Sequence, residues 1–247
     1  MIRLIALKEL RSLFHAPSTW YMLGGFQFIL SLSYLGRLDE FLQIQSKLSM
    51  IANAAGATQS VIPYFFSIVA MVTMMFTPAF TMRLLAEERR NQTLPLLLAA
   101  PVSSAQIVLG KFAGMVIFLW LIVLACMAMT LTLALGTAMD FGLLLANACG
   151  MLLLVASYCA IGLYISSLTA QPVVAAIGAL ATLAGLWLAD AAASDGSRVL
   201  HGIAPTGHFQ SFNSGLLDSA DFVYYLLFCA FFLLLAIRRL DNNRIYG

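Results

Sequence analysis

Six stretches of this chain are almost uninterruptedly apolar, at 18–35, 62–82, 107–136, 141–165, 172–189 and 222–237. All qualify, or nearly do, against the ~20 residues a helix needs to cross a bilayer. All are far longer than the ~10-residue alternating segments of a membrane barrel. The pattern therefore predicts an all-α integral membrane protein of six spanning helices. The third stretch is long enough to tilt or to protrude from the membrane. The sixth is short and borrows Tyr224 and Tyr225 as an interfacial belt.

The pattern changes at the N-terminus and in two loops. Over 1–16, Lys8, Glu9, Arg11, Ser12 and His15 share one arc of a helical wheel, and Ile2, Ala6, Leu7, Leu10, Leu13 and Phe14 share the other. This predicts an interfacial helix, with Lys8 and Arg11 towards the headgroups and Leu10 and Phe14 in the leaflet. Pro17 then permits a turn into the first span. Ser31 and Ser33 would suit a signal-peptide cleavage site, but the apolar run before them is long for one, which favours an uncleaved anchor. Residues 36–61 are polar with scattered apolar positions and predict a short surface helix. Residues 190–221 mix glycines with Phe209 and Phe212, which predicts short re-entrant helices at the outer end, where irregular backbone must be surrounded by protein or by a water-filled cavity.

Composition supports the membrane reading. The chain is 62% hydrophobic and 10% charged, with a mean hydropathy of +0.93, whereas soluble domains carry about 25% charged residues. A net charge of +2 gives no footprint for nucleic acid. The four cysteines lie inside apolar runs without a C-x-x-C pair, so neither a disulfide framework nor a zinc site is expected. If both termini are cytoplasmic, ten Lys and Arg fall inside and Arg37, Lys47 and Arg198 outside, a clear positive-inside bias. The chain is expected to be one multi-pass membrane domain over 1–247, with both termini in the cytoplasm.

No span carries a charge at its centre, where ion-coupled carriers usually place one. The polar residues there are Gln27, Thr130, Thr132, Asn147, Ser157 and Tyr158, and helix–helix hydrogen bonds are their expected use. Gly110/Gly114, Ala146/Gly150 and Ala181/Gly185 read as packing contacts by the same rule. The pair Gly110-Lys111 is followed by Phe112 and has Ala105 where a phosphate-binding loop needs its first glycine, so ATP cannot bind through that motif. His201 and His208 lack a third ligand, and no metal or catalytic constellation is expected.

One compact polar interruption separates the second and third apolar stretches: Glu87, Glu88, Arg89, Arg90, Asn91, Gln92 and Thr93, then 94–101, then Gly110-Lys111. Thr93 is a candidate N-cap, and Pro95 is tolerated in the first turn that follows. A helix over 94–100 would be too short to cross a bilayer and would have almost no polar face. Leu94, Leu96, Leu97 and Leu98 then form an apolar patch, which usually marks an interface. Folding back onto the chain's own spans or onto lipid is the alternative, and docking is preferred.

The series from Glu88 to Ser103, followed by Gly110-Lys111-Phe112, resembles the cytoplasmic loop of type-2 ABC exporter permeases. Lys8 to Phe14, His208 to Gly215, and Asp221 with Tyr224-Tyr225 look like the gliding-motility (Gld F-type) branch of that family. The resemblance covers the whole chain. Gln92 stands where the family usually has Gly, and Pro95 where it usually has Glu.

The resemblance implies a non-catalytic permease subunit, half of a transport unit. Two copies, or this chain with a paralogue, would pair with two ABC ATP-binding subunits that hold ATP and Mg2+. The segment 84–104 would couple to them through Glu87, Glu88, Arg89, Arg90, Thr93 and the four leucines. The branch implies an auxiliary subunit with a large extracytoplasmic domain. With charge-free spans, the expected cargo is amphipathic, gated at Phe209 and Phe212. A non-transporting scaffold driven by the same ATPase is the second reading, and a stand-alone carrier the third.

Overall fold

The computed structural model describes residues 1–48, 57–93, 102–136, 139–193, 202 and 204–246. Nine α-helices account for most of them: α1 (Ile2–His15), α2 (Pro17–Leu48), α3 (Ala57–Thr81), α4 (Arg83–Arg90), α5 (Ser104–Leu131), α6 (Phe141–Leu168), α7 (Pro172–Ala193), α8 (Pro205–Asn213) and α9 (Ser219–Tyr246). A 3-10 turn, Thr132–Leu135, closes α5. No strand occurs among the described residues.

Local chemistry sets the boundaries. Ala16 is extended, as a residue before proline prefers to be, and separates α1 from α2. Ser103 and Gln106 form a reciprocal capping box at the start of α5. The Asp140 side chain accepts from the N–H groups of Gly142 and Leu143 to start α6.

Five helical stretches are long and apolar enough to cross a membrane: Thr58–Arg90, Ser104–Leu135, Phe141–Leu168, Pro172–Ala192 and Ser219–Arg244. They correspond to the second through sixth expected spans. The expected first span is also helical, but Gln27, its serines and paired glycines leave α2 less apolar. At 32 residues α2 is about 48 Å long. It reaches Arg83 through Ser18 at one end, and Thr132 through Tyr34 and Ser60 through Arg37 near the other. The separate surface helix expected within 36–61 is not what forms over the described part. Residues 36–48 simply continue α2, supported by the Arg37–Glu40 ion pair and the Gln43–Asp39 hydrogen bond along the same helix.

Helix α6 is the axis of the bundle and touches α3, α4, α5, α7, α8 and α9. Two glycines on it admit close neighbours. Gly162 lies against the Thr81 side chain, and a Cβ at Gly150 would meet Phe212 Cβ at 2.5 Å. Gly110 and Gly114 do the same for α1. A Cβ on Gly110 would sit 2.7 Å from Ile5 Cβ, and one on Gly114 would sit 2.9 Å from the Ala6 carbonyl oxygen. Gly185 has no atom near its missing Cβ, so the expected Ala181/Gly185 contact does not form within this chain; Gly185 lies on the outward side of α7.

Of the intramembrane polar residues, Gln27 donates to Met129 Sδ, Thr132 meets the Tyr34 hydroxyl, and Asn147 reaches carbonyls of α8. Thr130 and Ser157 bond only to their own helix backbone. The Tyr158 hydroxyl is buried without a partner.

Candidate functional site

The N-terminus of α5, the polar end of α3–α4 and the whole of α1 meet at one end of the bundle. Lys111, eight residues into α5, is the centre of this meeting. Its side chain is 3% exposed and its Nζ donates to Glu9 Oε1 at 2.6 Å and to Glu88 Oε1 at 2.8 Å. Each partner comes from a different helix, α1 and α4. One ammonium therefore ties three elements together. The second carboxylate oxygen of Glu88 is buried without a hydrogen bond.

Sequence reading assigned Glu9 to the polar, outward arc of α1. The structure turns it inward, because the side of α1 that lies on Gly110 and Gly114 carries Ile5, Ala6 and Glu9. The missing side chains of the two glycines set which face docks. Leu10 and Leu13 pack partly against the core, while Leu4 and Leu7 are exposed. Lys8 and Arg11 are exposed. Phe14 packs edge-on to Phe118 and accepts the Trp20 indole N–H at its backbone carbonyl.

Helix α4 is set off from α3 at Met82 by a side chain of α6. The Ser166 hydroxyl accepts from Leu85 N–H at 3.1 Å and Ala86 N–H at 3.0 Å, and donates to the Met82 carbonyl at 3.0 Å. It satisfies donors at the start of α4 from outside the helix. A side chain inserted into the ladder in this way is a recognised cause of a break.

The far end of α4 closes in a Schellman motif. Thr93 N–H bonds to Glu88 O and Gln92 N–H to Arg89 O, with Gln92 at φ 56°. The same pattern ends α8, where Leu216 N–H reaches Ser211 O, Gly215 N–H reaches Phe212 O, and Gly215 is at φ 85°. Gln92 thus occupies a left-handed position that glycine fills without strain. Thr93 was expected to cap a following helix. Among the described residues its hydroxyl donates back to Glu88 O, closing α4. Leu94, Leu96, Leu97 and Leu98 lie outside the described residues.

A cavity of about 660 Å³ opens beside the Lys111 triad, bounded by α1, the first turn of α2, α3–α4 and α5. Lys8, Glu9, Arg83, Glu87, Glu88 and Lys111 supply its charge; Met22, Phe80, Leu84 and Met115 supply its apolar wall. Of the expected partner-facing residues, Glu87 lines this cavity, Glu88 is drawn into the triad, and Arg89 and Arg90 end α4.

The other end of the bundle is built around α8. Phe212 is fully buried against Gly150 and Phe209 is 4% exposed, so both point into this subunit's own bundle. Asn147 holds the end of α8, Tyr225 donates to Pro205 O at 2.6 Å, and His208 pairs with Asp221 at 2.6 Å while stacking on Tyr224. No group of His, Cys, Asp and Glu able to hold a metal occurs among the described residues.

The arrangement places a buried ion-pair network, a break in the helical hydrogen bonding after Met82 and a cavity at one end of the bundle, and a wedged helix at the other. Sequence reasoning singled out Glu88 and Gly110-Lys111 but did not join them to Glu9. The one available signal was a lone lysine in an apolar helix, which needs a counter-charge once buried. Residues 4–243 match the family described as "ABC-2 family transporter protein". No curated protein matches the chain.

Proposed function

The chain belongs to the ABC-2 transporter family, and from that premise we propose that it is the permease subunit of a bacterial ATP-driven export complex. Two copies, or one copy with a paralogue, pair with two ABC ATP-binding subunits, which hold the ATP and Mg2+. The observation that carries this reading is the Lys111 triad. Its two ion pairs join α4, α1 and the start of α5 just before the leucine-rich 94–98 segment, which supports these elements moving together. A partner seated on Leu94, Leu96, Leu97 and Leu98 would displace α4, and Glu88 would pass that displacement to α1 at the membrane surface.

Six spans with both termini in the cytoplasm is the topology that fits. Arg244, near the C-terminus, donates to Val102 O just before α5, and α1 lies on the same end of α5. Both termini at one end of the bundle require an even number of crossings, and α2 is the helix available to make the sixth. Reporter fusions at positions 47, 90, 140 and 198 should read out, in, out and out; an external reading at 90 would overturn the topology.

The outer gate in this reading is α8 itself. Phe212 wedged against Gly150 supports a gate that opens by withdrawing α8 from α6. With no charge in mid-span, the path suits an amphipathic cargo. An auxiliary extracytoplasmic subunit, as in the gliding-motility branch, would sit at this end.

The test of the partner is Leu97→Asp, which puts a charge into the proposed contact. Burying an unpaired charge costs several kcal/mol, so the variant should insert normally and lose co-purification of a vanadate-sensitive ABC ATPase. An unchanged complex would refute the docking assignment. A complex that hydrolyses ATP but moves no amphipathic probe would point instead to the scaffold role.

A further inference from the structure

Three of the charged side chains that line the cavity beside the Lys111 triad, Lys8, Arg83 and Glu87, form no ion pair among the described residues. Arg83 and Glu87 lie one turn apart on α4, both line the cavity, and they do not bond to each other. Arg83 instead donates to the Ser18 hydroxyl at 3.2 Å, and Lys8 across the cavity has no carboxylate partner among the described residues. Arginine four residues before glutamate is the less favourable order for a helical pair, which is consistent with the two charges standing apart. Ser12 and Thr19 add hydroxyls to the same lining.

Behind this polar ring stand Leu13, Met22, Phe80, Leu84 and Met115. Trp20 and Tyr21, on the first turns of α2 beside the cavity, are 56% and 83% exposed. Amphipathic aromatics so placed mark the level of the membrane–water interface. At about 660 Å³ the cavity falls in the ordinary range for small-molecule sites, roughly 300–1,000 Å³.

We propose that this cavity binds the headgroup of a zwitterionic phospholipid with a primary ammonium, phosphatidylethanolamine being the type. Glu87 takes the ammonium, Arg83 and Lys8 take the phosphate, and the acyl chains leave along the Met22, Phe80 and Met115 wall. A carboxylate and two cations on one rim complement both charges of such a headgroup at once. An anionic headgroup would leave Glu87 unpaired, and a choline headgroup offers Glu87 no N–H donor. The assignment concerns the chain and its bilayer and does not depend on an ATPase partner.

The test uses the full chain in detergent, delipidated and then titrated with dioleoyl phosphatidylethanolamine, phosphatidylcholine or phosphatidylglycerol, with bound lipid counted by native mass spectrometry. Phosphatidylethanolamine should be retained at least about five-fold more strongly than either competitor, a difference of roughly 1 kcal/mol. Glu87→Gln should remove the preference over phosphatidylcholine, and Arg83→Gln should weaken both zwitterionic lipids. Glu87 and Arg83 are exposed, so neither variant threatens folding, and circular dichroism of each checks that it does not. Equal retention of the three lipids would overturn the proposal. So would a preference for phosphatidylethanolamine that survives both substitutions, because the bound lipid would then lie elsewhere.

Discussion

Replacing Lys111 by methionine keeps an unbranched side chain one atom shorter and removes its charge. Glu9 and Glu88 are then left at a site where their side chains are only 16% and 20% exposed. Both held the same Nζ, at 2.6 Å and 2.8 Å, so their oxygens lie within about 5 Å of each other. At an effective dielectric near 20, two like charges at that distance repel by about 3 kcal/mol. Removing one partner of a buried pair costs about 3–5 kcal/mol in measured cases. Both carboxylates also border the open cavity and can turn towards water, so the net loss should be nearer 2–4 kcal/mol. For a protein of this size that is a fall of very roughly 5–12 °C in melting temperature. Thermal scans should follow tryptophan emission at a fixed scan rate, since unfolding of such proteins is commonly irreversible. Trp20 bonds to the Phe14 carbonyl at the end of α1, so its signal also reports undocking of α1. The triple variant Lys111→Met, Glu9→Met, Glu88→Met should recover most of the loss, because apolar replacement of a whole buried ion cluster is often neutral or stabilising. A single variant that melts like the parent would refute the reasoning. So would a triple variant no more stable than the single one.

Three further outcomes are expected. Gln92→Gly should raise stability by about 1 kcal/mol by relieving the left-handed residue that ends α4; an unchanged or lower melting temperature would mean Gln92 makes compensating contacts. Ser166→Ala leaves Leu85 and Ala86 N–H and the Met82 carbonyl without the hydroxyl that serves them, at about 1–3 kcal/mol for each group left unsatisfied. Faster amide exchange at residues 83–86 should follow, and normal protection there would show that the break at Met82 does not need Ser166. Phe212→Ala empties the site against Gly150 and should cost about 3–5 kcal/mol. Cysteine labelling at position 209, which is 4% exposed in the parent, should accelerate in that background; unchanged labelling would mean α8 is held without the wedge.

Five of the apolar spans, the helical start, the polar interruption and the ABC-2 family were legible in the sequence, because hydropathy and short motifs are local properties. A helix in lipid must satisfy its own backbone, so long apolar runs leave little choice of element. Gly110/Gly114 was read as a packing pair for the same reason: a missing side chain declares that something approaches. What approaches could not be read. Glu9 looked like a surface residue on its own helical wheel, and only the contact of α1 with those glycines turned it inward to Lys111. Ser166 looked like one more hydroxyl in an apolar helix, yet it sits where α6 crosses the break at Met82. Gln92 looked like a departure from the family's usual glycine. Its backbone conformation, φ 56° at the end of α4, shows why glycine suits the place. Each of these roles depends on partners 80–102 residues away or on a backbone angle. Sequence patterning states which residues must leave water, but the registry between packed helices decides which of them meet.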